Sequence, residues 1–261
     1  MLPVLFHVGP VAVRTHDVFV LLGVATALAV LWWRRRNEPS DPRFAALVAG
    51  GLLTGAIFAK IGTGWQYVAY SEQPTVVGLW LNGGQSVLGG LAGAYVGVLL
   101  AKRLVGYQGS TGDWFAPAVA AGLAVGRIGC FLTEQIGAPT TLPWGISVSA
   151  ETAAAMPYCP GCATGMAMHP SFLYEILFHL TAFVLLVKLS GRLGRPGDTF
   201  KLYLVAYALF RFGIEFVREN PEMALGLSGS QIFLLLTIPL GVAYYGWRRS
   251  TRRASRIEAM A

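Results

Sequence analysis

The chain has 261 residues, 54% of them hydrophobic, a mean hydropathy of +0.55 and only 13% charged. A soluble domain carries roughly a quarter charged residues, and the apolar residues here fall in long runs, so composition points to a polytopic membrane protein. The net charge of +7 gathers at the ends of those runs, which argues against nucleic acid as a partner.

Taken in order, residues 1–16 (MLPVLFHVGPVAVRTH) are short and broken by proline, and are expected as a small amphipathic piece at the outer interface. Val18–Trp33 is the first expected span, stopped by Arg34, Arg35 and Arg36; no small-residue cleavage pattern follows it, so it does not read as a signal peptide. Phe44 to about Ala69 is the second span, and Tyr70–Ser86 a loop with a short apolar piece, VVGLWL. Val87–Ala101, Trp114–Leu132, Ser171–Leu189, Phe200–Val217 and Ile232–Trp247 complete about seven helices, near the ~20 residues that a bilayer requires. Basic residues crowd the loops after spans 1, 3, 5 and 7 (Arg34, Arg35, Arg36, Arg43, Lys102, Arg103, Lys188, Arg192, Arg195, Lys201), whereas Arg218 is the exception on the other side. The expected architecture is therefore all-α and multi-pass, one domain, with the N-terminus outside, the C-terminus cytoplasmic and a small outer-face loop region at about 133–170.

Five stretches carry polar chemistry. GRIGCFLTEQIG, Gly126–Gly137, ends an apolar run with an arginine, a cysteine and a glutamate. A charge at membrane depth costs a few kcal/mol and tends to face a partner or cavity. Arg127 is either a snorkelling side chain or a functional one, and Gly126 and Gly129 favour the second by allowing close approach. Glu134 is either a solvated loop carboxylate or part of the same site. YALFRFGIEFVRE places Arg211 and Glu215 four apart on one helix face, with Arg218 extending it. That is either an internal ion pair or an anion site in which a guanidinium fork holds a phosphate. Two arginine-bearing helices of the same depth and direction point to a phospholipid headgroup site at the outer leaflet. AMHPSFLYE brings His169, Tyr174 and Glu175 to the start of a span, and NGGQSVLGG opens another with glycines suited to close approach. In the outer loop, Cys159-Pro-Gly-Cys162 is a disulfide, a redox pair or half a metal site, the disulfide being favoured on an oxidising face; no fourth ligand is evident and no metal or cofactor is expected. Cys130 is either inert packing or a reactive thiol.

GRIGCFLTEQIG resembles the signature of the prolipoprotein diacylglyceryl transferases, close to GRxGNFxNxExxG. HPSFLYE is similar to that family's HPxQLYE, FRFGIEFVRE to FRxxxEFxR, NGGQSVLGGLAG to GGMSFHGGLxG and DWFAPA to its DxxAP segment. VGPVAVRTHD near the start and GSQIF near the end also have counterparts, so the resemblance runs in order over nearly the whole chain.

The resemblance implies transfer of a diacylglyceryl group from phosphatidylglycerol to the lipobox cysteine of a preprolipoprotein or a related acceptor, at the bacterial cytoplasmic (inner) membrane. It implies that Arg127 and Arg211 hold the headgroup phosphate, that Glu134 and Glu215 orient them or move protons, and that Gly137 allows close approach. Gly89, Gly90, His169 and Tyr174 are expected to line the phosphatidylglycerol site. Three positions depart from the family pattern: Cys130 stands for asparagine, Leu88 for histidine and His16 for tyrosine. Leucine cannot accept a thiol proton, and His16 is the residue expected to take that role. The alternative is a catalytically altered paralogue that binds anionic phospholipid or an envelope partner.

Overall fold

The computed structural model describes residues 2–64, 68, 75–82, 84–133, 137–147, 149, 165–193, 196–218, 220, 222–237 and 239. Among the described residues, five helices are long and apolar enough to cross a membrane: α1 (Thr15–Arg35), α2 (Arg43–Ile61), α4 (Val87–Leu104), α5 (Gly112–Thr133) and α6 (Ser171–Leu189). α7 (Asp198–Ile214) has 17 residues and passes into a 3-10 turn at Glu215–Val217. The seventh expected span begins in a helical segment over 229–237, and most of it lies outside the described residues.

The chain forms two compact units: residues 1–36 with 111–261, and residues 37–110. In the smaller one, α2 packs on α4 through small residues. Thr54 Oγ1 donates to Gly93 O at 2.8 Å and to Gly50 O at 2.7 Å. A Cβ at Gly93 would lie 2.6 Å from Thr54 O, so only glycine fits. Within the expected loop at 70–86, VVGLWLN forms a short helix, α3 (Val76–Asn82).

In the larger unit, most of the expected N-terminal piece folds as a hairpin of β1 (Val4–Val8) and β2 (Val11–Arg14), pairing Val8 with Val11. Gly9 takes a positive φ of 57° and Pro10 supplies a fixed negative one, which suits a two-residue hairpin turn. Two further two-stranded sheets amend the all-α expectation: β3 (Ile146–Ser147) with β4 (Ala167–Met168), and β5 (Glu222–Ala224) with β6 (Leu227–Ser228). All three are too short for a periodic signal in the sequence.

α1 crosses α5 at a glycine pair. A Cβ on Gly23 would meet Gly122 O at 2.6 Å, and one on Gly122 would meet Gly23 O at 2.7 Å. This close crossing brings the first turn of α1 beside the last turns of α5, where a Gly129 Cβ would sit 3.4 Å from His16 Cα. Leu2 N donates to Leu132 O at 2.8 Å and fixes the same register. At the opposite end, Asp113 ties three helices. Its carboxylate accepts from Gly197 N at 2.9 Å and from Thr199 Oγ1, and its carbonyl accepts from Ser190 Oγ at 3.2 Å. Between these ends Ala116, Ala120, Leu186, Phe200 and Tyr203 form a buried core against which Phe178 and Leu123 pack.

Candidate active site

Charged side chains from α5, α6 and α7 converge where an apolar core is expected. Arg127, Glu175, Arg211 and Glu215 are all buried. Arg127 Nη2 lies 2.6 Å from Glu175 Oε2, and Arg218 Nη1 donates to Glu175 Oε1 at 2.7 Å. The Arg127 contact is close, but it does not align an N–H with the oxygen. Oε2 therefore accepts no hydrogen bond among the described residues. Arg211 pairs with Glu215 Oε2 one turn along its own helix. Glu215 Oε1 accepts from Asn220 Nδ2 and from Ser228 Oγ, each at 2.7 Å. The β5–β6 hairpin thus completes the shell around Glu215 and fixes the carboxylate that orients Arg211.

Phe172, fully buried, lies between two of the arginines: its ring centroid is 4.4 Å from the Arg218 guanidinium carbon and 5.6 Å from that of Arg127. A ring face next to each guanidinium gives partial compensation without neutralising it. Burial, with Arg211 nearby, presses the Arg218 pKa below its ordinary value while Glu175 opposes the shift. Three guanidiniums against two carboxylates leave one positive charge uncompensated among these described residues. Such a cluster can hold a monoanion.

His16 reaches this site through Cys130. Its Nδ1 is 3.8 Å from Cys130 Sγ, which accepts a long contact from Arg127 Nη1 at 3.7 Å. Arg127 Nη2 also donates to Tyr207 OH at 3.4 Å. The Gly23–Gly122 crossing is what makes the approach of His16 possible.

Gly137 is buried, and a Cβ there would meet His169 O at 2.5 Å and Val217 O at 2.7 Å. Ala138 N donates to Val217 O at 3.0 Å and His169 N donates to Ala138 O at 2.9 Å. The glycine therefore lets one strand-like segment pass between the residue before Arg218 and the entry to α6. His169 and Tyr174 sit at that entry, with His169 Nδ1 3.3 Å from Tyr174 OH and Trp144 Nε1 donating to the same hydroxyl at 2.7 Å. They form a polar aromatic cluster at the start of that helix. Gly89 and Gly90 belong to the smaller unit; a Cβ on Gly89 would meet the Phe58 carbonyl of α2, so helix packing accounts for it there. A Cβ on Gly126, beside Arg127, would meet nothing within 4 Å, while the Gly126 backbone lies under Gly23, whose Cβ would come 3.2 Å from Gly126 N. Glu134, Cys159 and Cys162 lie outside the described residues.

Residues 3–247 match the family profile described as prolipoprotein diacylglyceryl transferase. The chain belongs to the prolipoprotein diacylglyceryl transferase family. A phosphatidylglycerol–prolipoprotein diacylglyceryl transferase of Fervidobacterium nodosum is 30% identical over 253 residues, covering 93% of this chain and 84% of that protein. One from Dehalococcoides mccartyi strain 195 is 29% identical over 264 residues, covering 96% and 95%. One from Trichormus variabilis is 30% identical over 258 residues, covering 94% and 89%.

For this member of the prolipoprotein diacylglyceryl transferase family, sequence reasoning missed the centre of the cluster. Glu175 was noticed only as part of a helix entry, yet it joins Arg127 to Arg218. The available signal was a carboxylate five residues inside an apolar span, which requires a cation. Arg218 was expected to extend the Arg211–Glu215 face. Instead the helix ends in a 3-10 turn, which swings Arg218 across to α6.

Proposed function

We propose that this chain transfers the diacylglyceryl group of phosphatidylglycerol to the thiol of a preprolipoprotein lipobox cysteine. The observation that carries the reading is the cluster of buried Arg127 and Arg211 with the partly buried Arg218 and its single excess positive charge, which suits a phosphodiester monoanion. In the reaction the acceptor sulfur forms a bond to the glyceryl carbon, the carbon–oxygen bond to the phosphate breaks, and that oxygen keeps the electron pair. Glycerol phosphate leaves with one more negative charge than the diester carried. Preorganised guanidiniums in a dry site stabilise that added charge as it develops. The acceptor thiol must lose its proton, and His16 is the base, since Leu88 cannot serve. Glu215 and Glu134 orient the arginines, while Gly137, His169 and Tyr174 shape the mouth of the lipid site.

In the same reading the chain crosses the bacterial cytoplasmic membrane seven times, with the N-terminus outside and the arginine-rich C-terminus in the cytoplasm. Basic loops on one side support that orientation. The site then faces the outer leaflet, where an exported acceptor meets the lipid.

The test is transfer of label from phosphatidylglycerol to a lipobox peptide by the purified full chain in lipid nanodiscs. Label on the peptide cysteine is the expected result. Folded protein that transfers nothing at long times overturns the reading, and retained binding of phosphatidylglycerol would then indicate a lipid-binding paralogue.

A further inference from the structure

His179 lies one turn beyond Glu175 on the same face of α6 and is fully buried. It shares Tyr207 with Arg127, whose Nη2 donates to the Tyr207 hydroxyl at 3.4 Å. Its Nδ1 is 3.1 Å from Tyr203 OH, and its ring packs against Tyr207 at 4.9 Å between centroids. Its Nε2 has no hydrogen-bond partner among the described residues. Arg127 Nε and Glu175 Oε2 share that condition, so three unsatisfied buried polar atoms belong to side chains grouped around Tyr207 and one face of α6. Such atoms are uncommon in folded proteins and call for a cause.

The tautomer follows from the hydroxyl. Tyr203 OH is buried, and His179 Nδ1 is the acceptor that the described residues offer it. If Nδ1 carried the proton, the hydroxyl hydrogen would be buried without an acceptor. With Tyr203 donating, Nε2 carries the proton and is a buried donor one helical turn from Glu175.

We infer that His179 is a positioning residue that holds Glu175 when Arg127 turns from that carboxylate to a lipid phosphate. Arg127 meets Glu175 Oε2 without aligning an N–H with it, and a lipid phosphate competes for the same guanidinium. The His179 Nε2–H then donates to Oε2, while Arg218 keeps Oε1. The charge of Glu175 stays compensated through the exchange, and Arg127 is released at lower cost. The inference rests on the phosphate-site reading above, and it assigns His179 no contact with reacting atoms.

The experiment has two arms on the full chain in nanodiscs, with H179L and H179Q variants. In the first, nitrogen-15 histidine spectra are recorded in phosphatidylcholine and then with phosphatidylglycerol added; the His179 signal is identified by its absence in H179Q. The expected spectrum is a neutral ring protonated at Nε2 that shifts on adding phosphatidylglycerol. A ring protonated at Nδ1, or no shift while phosphatidylglycerol binds, overturns the inference whether or not the protein transfers lipid. In the second, H179L raises KM for phosphatidylglycerol about tenfold with kcat within about twofold, as for a lost hydrogen bond to a charged group. H179Q, which keeps a donor at the same reach, restores KM. Equal KM in all three proteins, or a fall in kcat with KM unchanged, overturns it. Wild-type protein that shows the expected spectrum and shift but transfers nothing defeats the transferase reading and leaves His179 supported.

Discussion

Glu175 Oε1 accepts from Arg218 Nη1 at 2.7 Å, joining residues 43 positions apart in the chain. Arg127 approaches the other oxygen of the same carboxylate, so one glutamate compensates two guanidiniums from two other segments. Removing its charge leaves both cations buried and unpaired. Glu175→Gln is expected to destabilise the larger unit by about 3–5 kcal/mol, the usual cost of breaking a buried pair from one side. Thermal unfolding in nanodiscs measures this, and an unchanged Tm counts against the bridging role.

Arg127→Ala and Arg211→Ala are each expected to lower phosphatidylglycerol-dependent transfer by at least about a hundredfold, as for loss of a preorganised charge donor. Lysine at either position recovers only part of the rate, because its point charge lacks the guanidinium fork. Initial rates at saturating acceptor decide the matter. Full activity in either alanine variant removes that arginine from the phosphate site.

His16→Leu is expected to lower kcat about a hundredfold, the lower end for removing a general base. Cys130→Ala, in contrast, is expected to change kcat by less than about tenfold, since the thiol contacts are long, at 3.7 and 3.8 Å. The pair separates a proton acceptor from a spacer. If Cys130→Ala is the more damaging change, the thiol is the functional group and His16 its partner.

Gly137→Ala places a methyl group 2.5 Å from His169 O and 2.7 Å from Val217 O, both backbone atoms that cannot swing aside. Backbone shift at the α6 entry and at Arg218 follows. Loss of about 1–3 kcal/mol of stability is expected from such overpacking, together with reduced transfer, and a double read of Tm and rate checks both.

The helices were legible in the chain because hydropathy is a local property. Ser171–Leu189 matches the expected span to the residue, and Thr15–Arg35 differs only by one turn or less at each end. The hairpins were not legible, since strands of two to five residues leave no period to read. Arg127, Arg211 and Glu215 stood out as charges inside apolar runs. Their grouping around Glu175 did not, because it depends on where a 3-10 turn redirects Arg218 and on a glycine crossing that brings His16 to Cys130. Those are three-dimensional coincidences of segments more than 40 residues apart.

The ring of Phe172 has a consequence for which anions enter. It lies against Arg127 and Arg218 and offers no hydrogen bond to an arriving ion. An ion from water has to surrender its hydration shell before it reaches these guanidiniums, and the ring returns nothing for that loss. A phosphodiester already anchored in the bilayer arrives partly dehydrated by lateral diffusion. If the cluster holds a lipid phosphate as proposed, the aromatic wall is expected to sort anions by how they travel, disfavouring free phosphate against the same group carried on a lipid.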